Sequence, residues 1–166
     1  YEDNDSDKLV IIFASNGRGK TIIPSFNFYN LFKEDKSFDK LFLRDINREY
    51  YLNGLKNSTK NIRETIKLVN SLISIKKYRF TCSIGASSGG FAAILYGQLL
   101  KISKVIAFNP QTVISKEKES VIKDDIYTQQ VSRQLRKLNL NDNFYQKCLN
   151  LKNFQPFTTK VEIHYS

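Results

Sequence analysis

Short apolar runs alternate with helical patterns along this chain. The apolar runs predict strands, and between them apolar residues recur every three or four positions, as on one face of a helix. Strands that are apolar throughout are typical of parallel sheets buried on both faces, so the alternation indicates an α/β fold, a parallel sheet flanked by helices. The predicted strands are Leu9–Phe13, Lys40–Asp45, Tyr78–Ile84, Lys104–Phe108 and Lys160–Tyr165, and the main predicted helices are Asn61–Ile75 and Ser88–Leu100.

Length and composition predict one domain over residues 1–166, with the charged segment 112–158 as a helical cap or insertion. No apolar run has the length of a membrane helix, and the acidic start YEDNDSDK is unlike a signal peptide, so we expect a cytoplasmic protein. Two cysteines and one histidine cannot form a zinc cluster, and we expect free thiols, no metal and no cofactor. The lack of methionine indicates a piece of a longer protein.

The net charge of +10 is high for a chain of this size. It favours contact with an anionic polymer or an acidic membrane surface. The basic residues are dispersed and no basic-aromatic motif accompanies them, so we expect no specific nucleic-acid site. A lysine-rich surface without a dedicated partner explains the same composition.

The segment ASNGRGKT, residues 14–21, fits a loose phosphate-binding loop after a strand. A P-loop continues directly into a helix, and Pro24 would fall in the second turn of that helix, at a cost of about 3 kcal/mol. Ala14 also replaces the first glycine of the motif. A nucleotide-binding domain is therefore the least favoured of the three functions considered.

The segment GASSGG, residues 85–90, fits the Gly-x-Ser-x-Gly nucleophile elbow of serine hydrolases, between a strand and a helix. This motif predicts Ser87 as the nucleophile, with Gly85 and Gly89 keeping the turn tight. The N–H of Ser88 is expected to donate to the oxyanion. A second donor is expected from the loop after the first strand, at Ser15, Asn16 or Gly17, and the residues do not decide among them.

The segments LFLRDINREYYLNG, IGASSGGFAAILYG and VIAFNPQT together resemble a bacterial family of α/β-hydrolase-fold proteins linked to surface-polysaccharide assembly. The general plan is also similar to capsule O-acetyltransferases that use a Ser-Asp-His triad. The resemblance implies hydrolysis or transfer of acyl esters on glycans, on a truncated α/β-hydrolase fold with a helical cap. It implies the nucleophile at Ser87 and the oxyanion side at 15–17.

The acid and base of a triad are expected after the last strand, where this chain ends. His164 is the one candidate base, with Glu162 on the same strand face. A strand histidine packed under the cap is the favoured explanation of that position. Asp124, Asp125 and Asp142 are formal candidates for the acid but fit solvated charges.

Ligands of parallel sheets bind beyond the carboxyl ends of the strands. Arg44 or its neighbour Asp45, Asn109 and Gln111 fall at such ends, and Arg44, Asn109 and Gln111 are the candidate substrate-binding residues. The sequence therefore favours a serine esterase or O-acyltransferase that acts on carbohydrate esters. The alternative is a catalytically silent module of the same fold that binds an anionic glycan or a partner enzyme.

Overall fold

The computed structural model describes residues 1–16, 23–24, 26–115, 136, 138 and 141–165. In these residues every strand pairing of the sheet is parallel, and the strand order is β2-β1-β3-β4-β5. The parallel sheet predicted from the apolar runs is thereby confirmed. The strands are β1 Lys8–Phe13, β2 Asp39–Leu43, β3 Phe80–Ala86, β4 Lys104–Phe108 and β5 Lys160–His164.

The helices are α1 Tyr29–Phe32, α2 Ile62–Lys76, α3 Ser88–Leu99 and α4 Asn143–Cys148, and a 3-10 turn spans Leu151–Phe154. Helix α2 starts where the Asn61 side chain accepts from the Glu64 N–H, and it ends at Lys77 in the left-handed conformation. Helix α3 is buried nearly all round, as its small and apolar residues allow.

The two faces of the sheet differ in how fully they are covered. Leu9, Ile11 and Phe13 face the main core, where Tyr51 and Tyr96 pack edge-on against each other. Helix α3 lies on this face, and Gly97 permits the closest approach, since a Cβ there would strike the Val105 side chain. On the opposite face Ile12 and Ile84 are buried, whereas Ile106 and Phe108 of β4 are only half buried.

Asp39 anchors the amino end of β2. Its buried carboxylate accepts from Tyr78 Oη at 2.6 Å, from Lys76 Nζ at 3.1 Å and from the Asn4 N–H at 2.8 Å. Burial alone raises the pKa of Asp39, but these hydrogen bonds, with one from Tyr1, outweigh it and lower the pKa well below its ordinary value. The first residues of the chain are thus fastened to the sheet.

Two strands end two residues away from the position predicted for their last residue. Strand β2 ends at Leu43, because the Asp45 carboxylate accepts from the N–H groups of Glu49 and Tyr51 and turns the chain. Strand β3 continues to Ala86, because Gly85 and Ala86 still pair with β4. The predicted cap at 112–158 lies largely outside the described residues, and α4 is the helix described within it.

Candidate active site

Ser87 occupies the turn between β3 and α3 and is exposed to solvent. Its backbone has φ 53° and ψ −119°, a region that a residue with a Cβ adopts only under strain. The Ser87 N–H donates to Phe108 O at 2.9 Å, and its carbonyl accepts from the Phe91 N–H at 3.0 Å. The neighbouring strand and the first turn of the helix therefore fix a conformation that presents the hydroxyl outward.

Only glycine fits on either side of this turn. A Cβ at Gly85 would run into the Gly89 carbonyl, and a Cβ at Gly89 would run into the backbone of Phe13 and Ala14. Strand β3, helix α3 and the end of β1 thus meet backbone to backbone. The spacing of Gly85, Ser87 and Gly89 in the sequence has this close approach as its physical reason.

Ser88 is the first residue of α3 and is buried. The first N–H groups of a helix have no partner within it, and the helix dipole gives that end a partial positive charge. Both properties favour an anion next to the Ser87 hydroxyl. The assignment of the Ser88 N–H as an oxyanion donor remains a prediction.

The loop after β1 lies against the start of α3. The Asn16 N–H donates to Ser88 Oγ at 2.8 Å, and the Ser15 N–H donates to Asn27 Oδ1 at 3.2 Å. Either N–H would have to leave its present acceptor in order to bind an oxyanion. The third candidate, Gly17, lies outside the described residues, so the donor on this loop stays a prediction.

His164 ends β5 and is exposed. Its ring stacks on Phe108, with 4.9 Å between ring centroids. The strand register places Ala86, Phe108 and His164 in one row, which separates the backbones of Ala86 and His164 by two strand spacings, about 10 Å. The structure therefore places His164 at the carboxyl ends of the strands, where Ser87 also lies, but not in hydrogen-bond contact with Ser87.

Glu162 lies on the same face of β5 as His164, and its carboxylate forms ion pairs with two lysines. It contacts Lys104 at 2.9 Å and Lys160 at 3.4 Å. The hydrogen bond from Lys104 lowers the pKa of Glu162, so this group is a carboxylate at neutral pH. Asp142 likewise caps α4 and pairs with Arg63 at 2.8 Å, on the surface. Asp124 and Asp125 lie outside the described residues.

The three candidate substrate-binding residues follow the ends of β2 and β4. The Arg44 guanidinium lies over the Phe26 ring at 4.2 Å, and its buried Nε has no hydrogen-bond partner. Gln111 Oε1 is also buried without a partner. The Asn109 backbone is in the left-handed conformation, with φ 43°, and its N–H donates to His164 O at 2.8 Å. Buried polar atoms without partners are uncommon, and two of them belong to residues predicted to bind substrate.

Two further residues lie at the same edge: Asp45, which the sequence offered as the alternative to Arg44, and Tyr51, which was not predicted as part of the site. Asp45 is 2% exposed, and burial raises its pKa to about 6 in spite of the N–H groups that donate to it. Tyr51 is fully buried, and its hydroxyl donates to Ala14 O at 2.8 Å. Both lie within the segment LFLRDINREYYLNG, one of the three segments that carry the family resemblance, and this is the sequence feature that could have pointed to Tyr51.

The parallel sheet with its flanking helices and the glycine-flanked turn at Ser87 define the fold, which is the α/β-hydrolase fold. Several solved structures share this fold with the chain, at low sequence identity. A glycosylation-associated protein complex of Streptococcus agalactiae matches with a TM-score of 0.65 and 15% identity, over 95% of this chain and 31% of that one. The capsule O-acetyltransferase of Neisseria meningitidis serogroup A matches with a TM-score of 0.56 and 16% identity, over 96% of this chain and 78% of that one.

A candidate esterase of Staphylococcus aureus matches with a TM-score of 0.61 and 13% identity, over 96% of this chain and 57% of that one. The chain thus spans about a third of the streptococcal protein and somewhat more than half of the staphylococcal one. No protein-family model and no curated protein matches the sequence. Among the described residues, no helix combines the length and apolar character needed to cross a membrane.

Proposed function

We propose that the protein is a serine esterase or O-acyltransferase that acts on acyl esters of carbohydrate, and that Ser87 is its nucleophile. The observation that carries this proposal is the strained Ser87 backbone at a strand-to-helix turn that only glycines can flank. A strained residue with an outward hydroxyl at a helix N-terminus is favoured where it serves chemistry.

The reaction begins when Ser87 Oγ bonds to the ester carbonyl carbon and its proton passes to a base. The resulting oxyanion is stabilised by the first N–H groups of α3. The C–O bond to the leaving alcohol then breaks, and the base returns the proton to that oxygen. A water molecule or a second sugar hydroxyl releases the acyl group by the same steps, which gives hydrolysis or transfer.

His164 is the base of this proposal within the chain. To act, its ring must leave the Phe108 stack and turn toward Ser87. Its exposed position at the end of an edge strand permits that movement. Because the ring is at present engaged elsewhere, we expect the chain to hydrolyse esters slowly.

The carbohydrate part of the proposal has two supports. Arg44 Nε and Gln111 Oε1 are buried polar atoms without a partner, which a sugar ester could satisfy once the two side chains turn outward, and Asn109 adds an amide at the same edge. Two of the structural neighbours carry names that refer to a capsule O-acetyltransferase and to glycosylation.

The alternative function is a silent module that binds an anionic glycan or a partner enzyme. The ion pairs of Glu162 with lysines and the stacking of His164 on Phe108 favour it, because they leave Ser87 without a base in contact. The net charge of +10 supplies attraction for a polyanion.

A fluorophosphonate probe with mass-spectrometric site mapping separates the two functions. If the protein is an enzyme, the probe labels Ser87, and Ser87→Ala abolishes this labelling. The control Ser71→Ala, on the exposed face of α2, leaves the labelling unchanged. Hydrolysis of p-nitrophenyl acetate and of an acetylated glycan is then compared between the wild type and His164→Ala. If the wild type is not labelled but binds an anionic glycan, the enzyme proposal is wrong and the silent module is supported.

A further inference from the structure

The Tyr51 hydroxyl lies directly beneath the chain that leaves β1. The side chain is fully buried, its ring packs between Phe13 and Tyr96, and its Oη lies 2.8 Å from Ala14 O and 3.0 Å from Leu43 O. Ala14 is the residue before the loop that carries the predicted oxyanion donors. A hydroxyl without exposure to water therefore binds the backbone at the entry of that loop.

The Tyr51 ring reaches this position from a loop whose backbone is strained. Arg48, Tyr50 and Tyr51 all have positive φ, near 57°, 56° and 62°, which is unusual for residues other than glycine. Asp45 Oδ2 stabilises this path by accepting from the N–H groups of Glu49 at 2.5 Å and Tyr51 at 2.9 Å. Local propensity does not favour such a backbone, so the contacts of the Tyr51 side chain contribute to its stability.

The peptide group between Ala14 and Ser15 is fixed at both ends. Its carbonyl accepts from Tyr51, and its N–H donates to Asn27 Oδ1 at 3.2 Å. The next N–H, that of Asn16, donates to Ser88 Oγ at 2.8 Å. Side chains from three separate segments thus set the orientation of two successive peptide planes beside Ser87.

We propose that Tyr51 is a positioning residue for the Ser87 reaction. It acts through the Ala14–Ser15 peptide plane, whose orientation determines where the following N–H groups point when an oxyanion forms. This inference rests on the proposed esterase or acyltransferase function. It assigns no contact between Tyr51 and the substrate, because the residue is fully buried.

The test compares Tyr51→Phe with Tyr96→Phe. Each substitution removes one buried hydroxyl from the same aromatic cluster and keeps the ring, but the Tyr96 hydroxyl donates to Tyr51 O, in the loop after β2. Tyr51→Phe is expected to lower kcat about tenfold with KM nearly unchanged, since a lost donor misorients groups that act in the transition state. Tyr96→Phe is expected to retain kcat within about twofold, a change too small for the loss of one transition-state contact.

Amide hydrogen exchange gives a readout that does not depend on activity. The Ser15 and Asn16 amides are expected to exchange about tenfold faster in Tyr51→Phe than in Tyr96→Phe, because they lose the fixed peptide plane. Asn27 is exposed, so its variants avoid the core. Asn27→Ala should lower kcat as Tyr51→Phe does, and Asn27→Asp, which keeps the acceptor oxygen, should restore it.

The outcomes separate this inference from the proposed function. If the wild type neither labels with fluorophosphonate nor hydrolyses the esters, the enzyme proposal fails and the catalytic role of Tyr51 fails with it. If the wild type is active but Tyr51→Phe and Tyr96→Phe change kcat and amide exchange equally, the inference about Tyr51 alone is overturned.

Discussion

Replacement of Ser87 by glycine should make the protein more stable than replacement by alanine. Ser87 has φ 53° and ψ −119°, where a Cβ is strained and a glycine is not. Both substitutions remove Oγ, so they differ only in whether the Cβ remains. Their difference in unfolding free energy therefore reports the backbone strain of the elbow, reduced by the freedom that glycine gains in the unfolded chain.

The expected magnitude follows from two opposing terms. A backbone held in such a region costs about 1–3 kcal/mol when a Cβ is present. Glycine gains additional freedom in the unfolded chain, which destabilises the folded state by about 0.5–1 kcal/mol relative to alanine. The net expectation is that Ser87→Gly is more stable than Ser87→Ala by about 1 kcal/mol, or about 2–4 °C in Tm for a domain of this size.

Urea denaturation of the two variants, with Ser71→Gly and Ser71→Ala as the matched pair, provides the measurement. Ser71 lies in α2 and is exposed, where glycine should be about 1 kcal/mol less stable than alanine. The two positions should therefore rank their variants in opposite order. Should alanine be the more stable variant at both positions, the elbow is not strained and the structural argument for Ser87 as nucleophile loses its basis.

The elbow could be predicted from the sequence because its motif is continuous in the chain. Strand, Gly85, Ser87, Gly89 and helix follow one another without interruption in the chain, and each glycine has a steric reason within that stretch or at the adjacent strand. The apolar runs likewise mark the strands, since a strand buried on both faces needs apolar residues at every position.

The Tyr51 contact could not be predicted in this way. It joins residues 37 positions apart, and it depends on left-handed backbone at Arg48, Tyr50 and Tyr51, where no glycine signals a turn. A pattern of apolar and polar positions does not contain that information. The acidic N-terminus is a similar case, because the Asn4 N–H finds its acceptor, Asp39, 35 residues away.

The position of the predicted base shows a third limit. Sequence order brings His164 to the edge of the sheet where Ser87 lies, and the strand register confirms that placement. The side chain, however, stacks on Phe108, and this choice depends on the packing of β4 against β5. Topology places backbones, whereas the reach of a side chain depends on neighbours that only the folded structure supplies.

Two carboxylates at opposite ends of β2 should give opposite pH responses. The pKa of Asp39 is lowered in the folded state, so its contribution is present above its ordinary value of 3.8 and is lost as the pH falls through the acid range. Asp39→Asn should thus cost about 3 kcal/mol at pH 7 in urea denaturation, with a smaller loss at pH 3, and equal losses at the two values would contradict the assignment. The pKa of Asp45 is raised to about 6, chiefly by burial, so the folded state binds a proton more tightly than the unfolded chain and stability falls as the pH rises from about 4 to 6. Asp45→Asn keeps an oxygen for the N–H groups of Glu49 and Tyr51 but never carries the charge. The variant should therefore match the wild type near pH 4 and exceed its unfolding free energy by about 1–3 kcal/mol above pH 7, and parallel stability curves across this range would refute a buried, charged Asp45.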